Sequence, residues 1–155
     1  MGSSAMIKLD AALTGVKNLG LDTAPVIYFV EKHPKYDALV TEIFQRIDND
    51  VLVGITSVVT LTEVLVQPIK QGDTKLQQGY SELLLHSANF ETMPIDADTA
   101  KRAATLRAVY SLRTPDALQI ATALEFNCQA FLTNDKQQLK RVTELRVLVL
   151  DELEL

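Results

Sequence analysis

Apolar positions along this chain change their period repeatedly, and the changes mark out its elements. In residues 35–48 (KYDALVTEIFQRID), Ala38, Leu39, Ile43, Phe44 and Ile47 fall on one helical face. "VLVGIT" (51–56) is instead a continuous apolar run between Asp50 and Ser57, which predicts a strand. The same reading gives a first strand over Lys17–Asp22 and a short helix over Pro25–Glu31, with Pro25 suited to the first turn. Helices are expected at 58–67 and 74–87, separated by Pro68 and the turn signal Gly72-Asp73. "FETMPI" (90–95) is a third strand, weakened by Pro94 near its end, and Asp96 or Asp98 caps a helix reaching Tyr110. Thr114-Pro115-Asp116 reads as a helix start with Thr114 as N-cap, and that helix stops near Asn127. "QAFLT" and "RVLVLD" are the last two strands, with a short helix from Asp135 between them and an acidic tail after.

Strands alternating with helices predict an α/β fold: a central parallel sheet of about five strands with helices on both faces. Right-handed crossovers put every strand exit at the same sheet edge. At 155 residues the chain suffices for one core, so one domain over residues 7–155 is expected. Residues 1–5 before Met6 read as a vector-derived remnant, with native translation starting at Met6.

Composition narrows the picture. No uncharged apolar run approaches the roughly 18 residues of a membrane span, and no secretion signal is visible. The single cysteine, Cys128, rules out an internal disulfide and fits a reducing cytoplasm. A net charge of −5 argues against a protein that coats nucleic acid. It leaves a nuclease open, because setting four site acids aside leaves only −1 on the remainder.

The candidate chemistry lies at the apolar-to-acid junctions. In an open parallel sheet, sites form outside the carboxyl ends of the strands. Asp22 follows the first strand immediately, Asp135 sits three residues beyond Leu132, and Asp116 lies in the first turn of its helix. Glu63 lies within "SVVTLTEVL" (57–65), five or six residues into a helix and about 8 Å from the strand end. Helical side chains tilt toward the N-terminus and glutamate is long, so it can reach back to the edge. Two carboxylates about 4 Å apart repel by roughly 4 kcal/mol at an effective dielectric near 20. Such a cluster must bind protons or a cation. Oxygen-only ligands suit Mg²⁺ or Mn²⁺, which can polarise a phosphodiester and generate hydroxide.

At "LDTAPVIYFVE" (21–31), "SVVTLTEVL" (57–65), "LRTPDALQIATAL" (112–124) and "FLTNDKQQL" (131–139), the chain resembles the PIN-domain ribonucleases, particularly the VapC-like toxins of type II toxin–antitoxin systems. The segments occur in the family's order. The resemblance implies a single PIN-like domain and a Mg²⁺- or Mn²⁺-dependent endoribonuclease whose catalytic, metal-holding acids are Asp22, Glu63, Asp116 and Asp135. It implies that Thr133 and Asn134 shape the site, that the substrate is RNA, and that a small antitoxin and a homodimer are the protein partners. The chain departs from the family at Ala24, where a polar residue is usual; a secondary hydrogen bond near Asp22 is the feature at stake.

Other residues point less far. Arg107, Arg113, Lys136, Lys140 and Arg141 are candidate phosphate contacts, with Arg113 foremost because it lies three residues before Asp116. Tyr28, Tyr36, Tyr80 and Tyr110 are the obvious candidates for base stacking. Ser57 and Thr60 read as caps and packing, His33 and His86 as surface residues, and Cys128 as a packed small residue. A catalytically silent PIN-like binding module is the alternative reading. An aspartyl-phosphate fold would want a second acid close to Asp22, which "LDTAP" lacks.

Overall fold

A computed structural model describes residues 5–155 of the chain. Five strands form a wholly parallel sheet: β2 (Asn18–Leu21), β3 (Val53–Ser57), β4 (Phe90–Met93), β5 (Ala130–Thr133) and β6 (Arg146–Val149). Their spatial order is β4-β3-β2-β5-β6. The chain therefore builds outward from β2 to one edge and then returns to build the other side. The reversal lies between β2 and β5, where Leu21 pairs with Leu132. A crevice opens at such a switch point, beyond the carboxyl ends of the strands.

The sheet is buried on both faces. Leu19, Leu21, Ala130 and Leu132 point into one apolar cluster with helices α2 (Thr23–Val30), α3 (Asp37–Asp48), α4 (Val58–Gln71) and α5 (Thr74–His86). Phe131, Val147 and Val149 point into a second cluster with α6 (Ala97–Tyr110) and α7 (Thr114–Glu125), and Leu139 of α8 (Lys136–Leu139) joins it. Gly20 faces the second cluster: a Cβ there would lie 2.8 Å from the Phe131 ring and 2.9 Å from Ala123 Cβ. The missing side chain is what lets α7 approach the central strand so closely.

The predicted α/β architecture is the one observed, with several local corrections. Pro68 does not end a helix; α4 runs through it to Gln71 and stops at Gly72, whose φ of 66° closes the end. A proline removes one backbone donor, and here only a single turn remains beyond it. Arg113, not Thr114, is the N-cap of α7. Strand β4 ends at Met93, just before Pro94, and Asp96 caps α6 by accepting from Thr99 N–H at 2.9 Å.

The expected acidic tail also has structure. After a 3-10 turn at Leu150–Glu152, β7 (Leu153–Glu154) pairs in parallel with β1 (Ile7–Lys8), which leads into α1 (Leu9–Ala12). These pieces are too short for periodicity to reveal. The assignment of Met1–Ser4 to a vector remnant lies outside the described residues. No helix among those described is long and apolar enough to cross a membrane.

Candidate active site

Beyond the β2–β5 switch point lies a cleft of about 410 Å³ lined by Asp22, Glu63, Asp116 and Asp135, together with Thr23, Arg113, Asn134 and Tyr28. All four predicted acids and two of the three predicted supporting residues thus border one space; Thr133 lies just beneath it. A second cavity of about 290 Å³, between Phe29, Phe44, Leu83 and Phe90, is chiefly apolar and has no Lys or Arg in its lining.

Each acid is held by its own local device. Asp22 is the N-cap of α2, and its Oδ1 accepts from Thr23 N–H at 2.9 Å. Its Oδ2 accepts from the Thr133 hydroxyl at 2.8 Å. Asp22 N–H donates to Leu132 O at 2.9 Å, so the strand pairing itself delivers the two residues to each other. Asp22 is held by these bonds, while Ala24 has no polar side-chain atom and so cannot supply the secondary hydrogen bond that a polar residue there would make. Burial pushes the Asp22 carboxyl up to about 6. The bonds from Thr133 and Thr23 oppose that rise, and the negative charges of Asp116 and Glu63 add to it. These acids are near enough to feel one another.

Asp135 caps α8, accepting from Gln138 N–H at 3.2 Å, while its own N–H donates to Thr133 Oγ1 at 3.0 Å. Asp116 is buried in the first turn of α7. Arg113 Nε donates to Asp116 Oδ2 at 3.0 Å, and its Nη2 reaches Asp135 Oδ2 at 3.5 Å. The largely exposed guanidinium thus spans two acids, and it is the cation lining the cleft. The other candidate phosphate contacts are engaged elsewhere. Lys136 and Lys140 pair with Glu152 at 3.1 and 2.7 Å. Arg107 donates to Leu112 O at 2.9 Å, and Arg141 to Gln138 Oε1 at 3.4 Å.

Glu63 is exposed and fixed by the Thr23 hydroxyl, which donates to its Oε1 at 2.5 Å. Beneath them lies a polar network that sequence reading missed. Gln119 Nε2 donates to Thr60 Oγ1 at 2.6 Å and to Thr23 Oγ1 at 3.3 Å. Gln119 Oε1 accepts from Ser57 Oγ at 2.6 Å, and Thr60 meets Thr56 at 2.7 Å. Ser57 does cap α4, as expected, by accepting from Val59 N–H at 3.1 Å. A visible signal for Gln119 was its place three residues after Asp116, an amide on an otherwise apolar helical face.

His33 is not a plain surface residue: its ring packs 4.8 Å from Tyr28 and 4.9 Å from Tyr36. Tyr80 and Tyr36 are buried rather than exposed. His86 is exposed and Cys128 buried, and burial pushes the Cys128 thiol up to about 12, leaving no thiolate at neutral pH.

The donor set suits a hard divalent cation: carboxylate oxygens only, with no histidine or cysteine in the cleft. The raised Asp22 carboxyl is what such a cation would relieve. Among the described residues, however, no three acid, histidine or cysteine side chains are closed into a ligating cage. The Arg113 guanidinium holds Asp116 and Asp135 instead.

A family model described as "PIN domain" matches residues 20–145. Among solved structures, the chain is similar to one from the VapBC2 complex of Rickettsia felis bound to a promoter DNA fragment. That likeness has a TM-score of 0.68 at 18% identity and covers 85% of this chain and 98% of that one. A chain of a toxin–antitoxin complex from Klebsiella pneumoniae gives 0.64 at 20% identity, covering 86% and 98%. VapC20 of Mycobacterium tuberculosis, described as a Sarcin-Ricin loop cleaving toxin, gives 0.64 at 12% identity, covering 84% and 99%. At such identities these likenesses speak to the fold. No curated protein sequence matches the chain.

Proposed function

Since this chain belongs to the PIN domain family, we propose that it is a metal-dependent endoribonuclease and the toxin of a toxin–antitoxin pair. The observation that carries the reading is the lining of one cleft, at the sheet's switch point, by Asp22, Glu63, Asp116 and Asp135. Support for RNA as substrate comes from VapC20, described as cleaving the Sarcin-Ricin loop. Support for an antitoxin partner comes from a similar chain's source in a toxin–antitoxin complex. A homodimer rests on the resemblance alone, and a cytoplasmic location on the single cysteine, Cys128.

Asp22, Glu63 and Asp116 would hold Mg²⁺ or Mn²⁺, with Asp135 close by, directly or through water. The ion, when bound, supplies charge neutralisation at phosphate and a lowered pKa for water. The chain's own residues supply position. Thr133 holds Asp22, Thr23 holds Glu63, and Gln119 ties Thr23 to the sheet. Arg113 is suited to pair with a phosphate oxygen once it leaves Asp116 and Asp135, because a guanidinium presents a planar fork. Water adds through its oxygen to phosphorus and the 3′-oxygen departs with a proton, leaving 5′-phosphate and 3′-hydroxyl ends.

The purified protein is expected to bind Mn²⁺ by calorimetry and to cut RNA in its presence, with Asp116→Asn removing at least about two orders of magnitude of rate. No Mn²⁺ binding, together with cleavage that survives Asp116→Asn, would overturn the proposal. One observation favours the alternative, a silent binding module: the Arg113 fork already neutralises two acids. On that alternative, toxicity in cells is equal for wild type and Asp22→Ala.

A further inference from the structure

One wall of the acid cleft is aromatic. Tyr28 lines it beside Ala24 and Ile27, on the face of α2 that begins at Thr23. Five residues of helical rise put Tyr28 about 7.5 Å along the axis from Thr23, the residue that holds Glu63. The ring is backed and anchored. Tyr36 stacks on it with centroids 4.6 Å apart and planes 14° apart. His33 leans against both rings. Asn134 Nδ2 donates to the Tyr28 hydroxyl at 3.5 Å, and Asn134 Oδ1 is itself fixed by Asp151 N–H at 3.1 Å.

Tyr28 stays part-exposed in this arrangement, whereas Tyr36 behind it is 8% exposed. Core packing accounts for the part of Tyr28 set against the cluster behind it, but not for the part-exposed edge of the ring that borders the cleft beside Ala24, Ile27, Arg113 and the carboxylates. A nucleobase does. It needs a flat apolar surface of fixed orientation beside the groups that hold its phosphate, and a ring already braced by a second ring loses little freedom on stacking.

We propose that Tyr28, backed by Tyr36 and anchored by Asn134, is the stacking platform for one nucleobase of an RNA strand whose neighbouring phosphate lies at the acids. This rests on the nuclease reading and adds a binding subsite to it. Stacking on a π-face does not discriminate strongly among bases, so the subsite contributes affinity and register rather than sequence choice.

The test uses Asp116→Asn protein and short single-stranded oligoribonucleotides carrying a fluorescent adenine analogue at successive positions. The analogue's emission is expected to be quenched at one position. Tyr28→Ala abolishes that quenching and weakens binding about tenfold or more, while Tyr28→Phe keeps both within about twofold. An abasic nucleotide at the quenched position weakens binding to protein carrying Tyr28 by a similar factor and leaves Tyr28→Ala unaffected. A merely structural role for the ring would not produce that pairing. Absence of quenching at every position, or equal affinity of Tyr28-containing protein for intact and abasic strands, overturns the platform. Neither readout involves cleavage, so a failure of Mn²⁺-dependent cutting by wild-type protein, which would count against the nuclease reading, is seen separately.

Discussion

Thr133 Oγ1 donates to Asp22 Oδ2 at 2.8 Å across the β2–β5 boundary, and the same oxygen accepts from Asp135 N–H at 3.0 Å. One hydroxyl, with no exposed surface, thus positions two of the four acids. Its removal leaves a buried carboxylate oxygen and a backbone donor short of partners.

Thr133→Val, close to isosteric, is therefore expected to destabilise the protein by about 1–3 kcal/mol and to slow RNA cleavage, while Thr133→Ser retains most of both. Urea melts and cleavage rates check this. Equal activity of the valine variant would mean that the hydroxyl does not position Asp22.

Stability should also report the Asp22 carboxyl. Its value of about 6 in the folded protein exceeds the ordinary 3.8, so between those pH values the native state binds more protons than the unfolded chain. Stability from this group falls as pH rises through that window, and the loss is complete above about 6. In chelator, Asp22→Asn should be more stable than wild type at pH 7, by at most about 3 kcal/mol, and the gap should close near pH 4. Mn²⁺ at a hundredfold excess over its Kd should raise wild-type stability by about 2.7 kcal/mol and do far less for Asp22→Asn. Thermal melts across pH, with and without Mn²⁺, decide both points.

Gln119 is 3% exposed and joins Ser57, Thr60 and Thr23. Gln119→Leu keeps the volume but leaves the Ser57 and Thr60 hydroxyls with fewer partners, which should cost about 1–3 kcal/mol. It also frees Thr23 from one of its ties, so the metal concentration needed for half-maximal cleavage should rise. An unchanged metal requirement would assign the amide to folding alone.

Gly20→Ala should destabilise by about 1–3 kcal/mol through overpacking, since the added methyl meets Phe131 and Ala123 at under 3 Å. Adding Ala123→Gly should recover part of the loss, a coupling that chemical denaturation of the two single variants and the double variant would measure.

What the sequence determined by itself was local. Helical and strand periods, the caps at Ser57 and Asp96, and the acids following the strands all depend on residues a few positions apart, so the five parallel strands and the four carboxylates were legible. Tertiary structure decided whatever depends on distant partners. Gln119 meets Thr23 across 96 positions, and β1 finds β7 from the opposite end of the chain. Glu152 pairs with Lys136 and Lys140, and Arg113 settles between Asp116 and Asp135. Even Pro68, a stop signal by local rules, is carried inside α4 because its ring is buried against the fold. Local propensities amount to at most a few kcal/mol, so packing and pairing across the folded chain override them.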